Sequence, residues 1–386
     1  MIFKIIIVLL FVLTLLGVYC MPVFKKLPAP TGRFAVSSTL YHFVDHARKE
    51  MHISKKTGQR ELMVRAWYPT DTHTDGIIAT QKYLNDVVPV MQKQFTQKTS
   101  LPGWLLKPFI AVKTHTQLQS SVTTEKKVFP VIIFSHGFRA PIELYTAYIE
   151  ELASHGYVVF GINHTYATYT TAFPDGRIVY FNQQHTLDTT PASDHELEVW
   201  VADIHFVLEK IKELKSTDTV FKDRLDLENC GFMGHSFGGV TALAAAQVES
   251  ACKAFVNLDG PLSLYKHRKQ GSSKPFLFMV QEYARSNNTA DTKEKIHKLI
   301  EFCHASKAYG RIIEIQGAGH QAFGDFVFLK YPLAKLFGFD VGTRGSYAIN
   351  ACIRKEIVTF FNNHLHTSVS NAHTSNNCCN CIIERL

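Results

Sequence analysis

The chain has 386 residues, 46% of them hydrophobic and 19% charged, with a formal net charge of +8. That length accommodates one large domain, and the composition excludes collagen-like, coiled-coil and extensively disordered classes. Lysines and arginines are scattered, with no basic stripe interleaved with aromatics, which sets nucleic acid aside as a partner. A solvated mixed surface is the plain reading of the cationic excess, and weak attraction to anionic lipid is the alternative.

Met1–Lys4 is a short, weakly positive start, and Ile5–Phe24 is almost unbroken apolar sequence followed by Lys25 and Lys26. An apolar run of about twenty residues just spans a bilayer as a helix. Residues 1–24 therefore read as a signal peptide or an N-terminal membrane anchor, and the chain is expected to be exported, secreted or periplasmic, or held at a membrane through this segment.

Beyond the leader, short runs rich in Val, Ile and Phe alternate with helical patterns. Glu61–Tyr68, Val131–Phe134, Tyr157–Ile162, Arg177–Phe181, Cys230–Met233, Ala254–Leu258, Pro275–Val280 and Arg311–Gln316 read as strands. Several are apolar on both faces, as strands buried inside a mostly parallel sheet must be. Ile142–His155 reads as a helix closed by Gly156. Ser193-Asp-His-Glu196 reads as a capping box opening a helix that carries Leu197, Trp200, Val201, Ile204, Leu208 and Ile211 at helical spacing. Thr292–Ala308 and Ser346–Leu365 are further helices. Such alternation defines a doubly wound α/β architecture with helices on both faces of the sheet, its early strands able to pair antiparallel. Residues 30–365 form one catalytic domain in this reading, and residues 366–386 a polar, disordered tail.

Of the eight cysteines, none inside the domain has the spacing of a disulfide framework or a zinc site. Cys378, Cys379 and Cys381 in the tail leave a disulfide or a metal site open. Asn163-His-Thr and Asn287-Asn-Thr match the glycosylation acceptor pattern, which matters only in a eukaryotic secretory host.

Gly234-His-Ser236-Phe-Gly238-Gly239 fits G-x-S-x-G in the context that gives the pattern force. A strand-like run precedes it and the small-residue helix Val240–Val248 follows, so Ser236 falls on a sharp strand-to-helix elbow. A serine hydroxyl is a weak nucleophile that needs a general base, itself oriented by an acid. In this fold the order along the chain is Ser, then Asp or Glu, then His. With 19 histidines, position must decide. His320 follows the strand Arg311–Gln316 through a Gly-Ala-Gly turn, whereas His297 and His304 sit on an amphipathic helix, so His320 is the base. Asp259 ends the strand Ala254–Leu258 ahead of Gly260-Pro261, and is preferred as the acid over Asp291 and Asp325. The oxyanion donors are the backbone amides of Phe237, next after the nucleophile, and of Phe138, in the loop after Val131–Phe134. His136 holds that loop rather than acting as a second base.

On these residues the chain resembles the platelet-activating-factor acetylhydrolase family of the plasma, lipoprotein-associated type and its bacterial relatives, within the α/β-hydrolase superfamily. Arg65-Ala-Trp-Tyr-Pro69, Phe134-Ser-His-Gly137, Glu151-Leu-Ala-Ser-His-Gly156, Gly234-His-Ser-Phe-Gly-Gly239, Leu258-Asp259 and Gly319-His320-Gln-x-Phe323-x-Asp325-Phe326 stand in family order. The resemblance implies an α/β-hydrolase fold, the triad Ser236, Asp259 and His320, the oxyanion amides of Phe138 and Phe237, and no metal or other cofactor. It also implies cleavage of the sn-2 ester of short-acyl or oxidised phospholipids. The sequence departs from animal members at Asn163-His-Thr-Tyr166, where the family continues with more charge. A general carboxylesterase, lipase or polyester hydrolase on the same triad is the alternative. A non-catalytic α/β-hydrolase that only binds is disfavoured by the complete set of catalytic residue types. Two apolar stretches with interspersed lysines, Trp104–Ile110 and Phe326–Phe339, are candidates for lipid-surface contact, the second being better explained by packing on the core.

Overall fold

The computed structural model describes residues 26–366, apart from 53–57, 72–79, 83–91, 94–95, 98–99, 101, 104–111, 119, 183–186, 188–189, 283–288, 330–333, 336–337 and 344–345, together with 383–385. The leader, the Trp104–Ile110 stretch, Asn287 and the tail cysteines lie outside the described residues.

In chain order the strands are β1 (Ala35–Lys49), β2 (Gln59–Thr70), β3 (Thr80–Lys82), β4 (Lys113–Leu118), β5 (Phe129–Ser135), β6 (Val158–Asn163), β7 (Thr170–Ala172), β8 (Ile178–Tyr180), β9 (Leu225–His235), β10 (Cys252–Leu258), β11 (Phe276–Gln281), β12 (Gly310–Ile315) and β13 (Ile383–Arg385). The main helices are α1 (Thr146–Ser154), α2 (Thr190–Thr217), α3 (Phe237–Val248), α4 (Thr289–Ala305) and α5 (Ser346–Leu365). All strands but β7 and β8 join one eleven-stranded sheet in the order β13-β12-β11-β10-β9-β5-β6-β2-β1-β4-β3. From β6 to β12 the neighbours run parallel, while β2 pairs antiparallel with both β6 and β1.

The both-faces-apolar strands explain this layering. In β5, Ile132 and Phe134 face one cluster with Tyr148, Ile149 and Leu152 of α1 and Ile349, Ile353 and Phe361 of α5. Val131 and Ile133 face the opposite cluster with Trp200, Ile204, Leu208 and Ile211 of α2 and Val240, Leu243 and Ala246 of α3. The two-residue period of a strand divides consecutive apolar side chains between two helical layers. The sheet is therefore an α/β-hydrolase sheet, mixed but mostly parallel, with helices on both faces.

The structure corrects the sequence in four places. Arg177–Phe181 is not a strand of the main sheet: Ile178–Tyr180 pair antiparallel with Thr170–Ala172 in a separate hairpin, too short to span a buried sheet. Helix α2 begins at Thr190, a turn before the supposed capping box. Glu196 instead accepts a 2.7 Å hydrogen bond from the Trp200 indole, which occupies the carboxylate that the box needs. The long strand β1 and the short β4 went unread because polar residues interrupt their apolar pattern near the sheet edge. Within the tail, Ile383–Arg385 pair antiparallel with β12.

Phe326 stacks on Phe339 with ring centroids 4.5 Å apart, and Val327, Phe328, Leu329 and Ala334 are buried, so the described part of that apolar stretch packs on the core. Asn163 is buried and its Oδ1 accepts a bond from the Ile142 amide, an inward-facing role incompatible with carrying a glycan.

Candidate active site

Strand register brings the chemistry to one edge. Ser135 of β5 lies level with Gly234 of β9, His235 of β9 with Leu258 of β10, and Leu258 with Met279 of β11. The loops leaving these carboxyl ends therefore start side by side, at the point where the chain, having placed β6 on one flank of β5, returns to place β9 on the other. Parallel α/β sheets form their clefts at such a reversal.

Ser236 stands between β9 and α3 at φ 54°, ψ −123°, and is the residue immediately before the helix. The turn is tight enough to need glycine on both sides. A Cβ on Gly234 would lie 2.2 Å from the Gly238 carbonyl oxygen, and one on Gly238 would lie 2.2 Å from that of Ser135. The elbow is locked further by the Ser236 amide donating to the Leu258 carbonyl at 2.8 Å.

The side chains predicted to work together meet here. Ser236 Oγ lies 3.0 Å from His320 Nε2, and His320 Nδ1 lies 2.5 Å from Asp259 Oδ2. Asp259, also at positive φ (51°), is fixed by its own amide donating to the Met279 carbonyl at 2.7 Å and by the Gln281 amide donating to Oδ1 at 2.9 Å. With Nδ1–H donating to the carboxylate, Nε2 is left to accept from the serine hydroxyl. Burial pulls the His320 pKa down, but the hydrogen bond and charge of Asp259 outweigh it, so the value stands above that of ordinary histidine. The rival candidates are elsewhere. His297 and His304 are exposed on α4, and Asp325 is buried with Oδ1 accepting from the Ala147 amide at the start of α1.

Phe138 and Phe237 also come together, their rings 6.0 Å apart, and neither backbone amide donates to another group among the described residues. The Phe138 loop crosses directly over Ser236: a Cβ on Gly137 would lie 3.4 Å from Ser236 Cβ.

Two groups of residues hold this loop, and sequence reasoning had found only His136 among them. On one side, the Gly137 amide donates to Tyr145 Oη at 2.9 Å, Tyr145 donates to His235 Nδ1 at 2.9 Å, and His235 Nε2–H donates to the His320 carbonyl at 3.0 Å. Burial and the neighbouring His320 hold the His235 pKa well down, so the ring is neutral, as this sequence of donors requires. The loop over Ser236 and the loop of His320 are thus tied through one imidazole.

On the other side, His164 Nδ1 bonds Asp203 at 2.9 Å and His164 Nε2 lies 3.2 Å from Ser135 Oγ. These are the residue types of a triad, but Ser135, His164 and Asp203 are all fully buried, and the guanidinium of Arg60 grips both oxygens of Asp203 at 2.6 and 3.1 Å. The His164 amide donates to His136 Nε2 at 3.1 Å, leaving His136 Nδ1–H for the Gly137 carbonyl at 2.8 Å. His164 stacks on Trp200 with centroids 3.9 Å apart. With no path for a substrate, this constellation is a scaffold. The signal that could have revealed it is Arg60, an arginine just before the buried run Leu62–Trp67 of its strand.

A strained serine elbow at the carboxyl edge of a mostly parallel sheet, carrying a His–Asp pair from later strands, defines an α/β-hydrolase. The sequence matches the family model described as "Platelet-activating factor acetylhydrolase, isoform II" over residues 22–382, and the chain belongs to that family. It is 25% identical to the platelet-activating factor acetylhydrolase of the dog over 376 residues, covering 88% of this chain and 78% of the relative. It is 24% identical to a probable 1-alkyl-2-acetylglycerophosphocholine esterase of the fungus Arthroderma benhamiae, covering 78% and 76%. Among solved structures, the ferulic acid esterase of Streptomyces cinnamoneus superposes with a TM-score of 0.71 at 22% identity, over 94% of this chain and 99% of that one, a likeness of fold.

Proposed function

We propose that this chain hydrolyses carboxylic esters through an acyl-enzyme on Ser236, and that its substrates are phospholipids with a short or oxidised acyl group at sn-2. The observation that carries the chemistry is the continuous chain Asp259–His320–Ser236, at 2.5 and 3.0 Å, beneath two unspent amides. Membership of the family, and relatives named for acetylated glycerophosphocholine, support the substrate class.

In this mechanism Ser236 Oγ attacks the ester carbonyl while its proton passes to His320 Nε2. Asp259 keeps Nδ1 protonated and stabilises the imidazolium that results. Negative charge grows on the carbonyl oxygen, where the Phe138 and Phe237 amides and the N-terminus of α3 oppose it. The tetrahedral species collapses, the C–O bond to the alcohol breaks, and the imidazolium protonates the departing oxygen. Water then attacks the acyl-serine, giving its proton to Nε2, and the carboxylic acid leaves as Ser236 recovers its hydrogen.

The test compares hydrolysis of a 2-acetyl alkyl glycerophosphocholine with that of a long-chain phosphatidylcholine, for the wild type and Ser236→Ala. Turnover of the first only, lost in the variant, supports the reading. Full turnover by Ser236→Ala contradicts the mechanism, and no phospholipid turnover by an enzyme active on simple esters contradicts the substrate class. The reading includes export directed by residues 1–24, checked by finding the protein outside the cytoplasm.

A further inference from the structure

Immediately after the proposed oxyanion residue Phe138 the chain carries Arg139, exposed and held at φ 71°, in the left-handed region that disfavours any residue with a Cβ. Such a conformation persists only where its surroundings enforce it. Here the enforcement is visible: the Arg139 amide donates to the Ala167 carbonyl at 2.8 Å, and the Arg139 carbonyl accepts from the Tyr169 amide at 2.9 Å. These bonds tie the loop to the segment that leads into the β7–β8 hairpin, whose far arm runs on into Phe181. The guanidinium carbon lies 4.7 Å from the centroid of the Phe181 ring and 5.9 Å from that of Phe138. The Phe138 and Phe181 rings meet edge to face at 5.3 Å, and Phe138 in turn meets Phe237 beside the nucleophile. Among the described residues Arg139 forms no ion pair, so a cation stacked on Phe181, with unspent N–H donors, stands one aromatic ring from the reacting carbonyl. Tyr169, whose amide holds the Arg139 carbonyl, and Tyr180, next to Phe181, are 39% and 36% exposed.

We propose that Arg139 is the anion-recognition residue of this site, binding the negatively charged part of an ester whose carbonyl oxygen rests on the Phe138 amide. A planar guanidinium suits a phosphodiester or a carboxylate equally. The anion is then either the phosphate of a headgroup, on the alcohol side of the ester, or the terminal carboxylate of an oxidised acyl chain. The inference rests on the ester-hydrolase reading of Ser236, and the substrate that it selects is any ester bearing such a charge.

The experiment measures kcat/KM for wild type, Arg139→Gln and Arg139→Lys on two matched pairs of soluble esters at low ionic strength. One pair is dibutyryl glycerophosphocholine against dibutyrylglycerol. The other is the p-nitrophenyl monoester of glutaric acid against p-nitrophenyl pentanoate. The readout is the charged-to-neutral ratio within each pair. Loss of one charge-assisted contact corresponds to about a tenfold fall in that ratio for Arg139→Gln, with Lys restoring part of it. The pair in which the ratio falls identifies the headgroup or the acyl end as the source of the anion. An unchanged ratio in both pairs overturns the proposal, including the case in which both members of a pair slow equally because the loop has shifted. A ratio that depends on Arg139 in the glutarate pair, in an enzyme that does not hydrolyse the phospholipid, contradicts the phospholipid reading and leaves this one standing. Phospholipid hydrolysis with no dependence on Arg139 in either pair does the reverse.

Discussion

Ser236 and Asp259 both sit at positive φ without being glycine. Strain of this kind costs on the order of 1–3 kcal/mol per residue and is retained where it aims a side chain that the ordinary backbone would misdirect. Both directed side chains converge on His320, whose raised pKa has a direct consequence for activity. In the proposed mechanism His320 must be neutral to accept the Ser236 proton, so kcat/KM is expected to rise with pH and its acidic limb to lie above the ordinary histidine value of 6.5. The same raised value means that the imidazolium–carboxylate pair adds stability below the unfolded histidine pKa, and that this is lost as pH rises through the folded one. Asp259→Asn removes the charge and the acceptor that enforce the tautomer. It is expected to lower kcat by about 10³–10⁴-fold and to move the limb to lower pH, as read from a pH–rate profile. These residues were legible because their types, order and strand-end positions repeat a known pattern. Tyr145 and His235 were not. Their roles depend on meeting each other across 90 residues of chain, and nothing local distinguishes Tyr145 from a core aromatic on an apolar helix.

At the scale of elements, the loop from His136 to Arg139 is the part that must be rigid, since its amide has to face a developing charge rather than follow it. Tyr145→Phe deletes the acceptor of the Gly137 amide and the donor to His235. Leaving a buried amide unpaired costs about 1–3 kcal/mol, and part of that cost is avoided if the loop moves. The expected result is a fall in kcat of about tenfold, with KM much less affected, because one oxyanion donor is worth ~10²–10³ and is displaced rather than removed. Steady-state kinetics on a soluble ester reads this directly. An unchanged kcat would show that the loop keeps its place without the tyrosine. The strands feeding this loop were readable because both of their faces are apolar, and β8 was readable as a strand but not as a hairpin arm. Its five-residue run lacks any local mark of the sheet it joins.

At the scale of the molecule, the site is supported from behind by charges taken fully out of water. Asp203 is desolvated, which would raise its pKa, but Arg60 and His164 more than reverse this and hold it well below the usual carboxylate range. Its stabilising contribution is therefore complete above the unfolded carboxylate pKa and is withdrawn only as acid approaches the folded one. Asp203→Asn removes the carboxylate that grips Arg60 through two bonds and leaves the buried guanidinium paired with Glu50, and breaking a buried pair in this way costs about 3–5 kcal/mol. Urea unfolding should show that loss at neutral pH, and a variant as stable as the wild type would refute the scaffold role. The layered sheet followed from apolar periodicity, whereas this ion cluster did not, because Arg60, Asp203 and His164 come from three separate elements whose approach only the folded topology decides. The account as a whole depends on a covalent acyl group forming at one oxygen. The most direct measurement is intact-protein and peptide mass spectrometry after treatment with a fluorophosphonate. One adduct on the peptide containing Ser236, absent from Ser236→Ala and strongly slowed in His320→Ala, is predicted. No adduct on the folded wild-type protein, or one on a different serine, would contradict it.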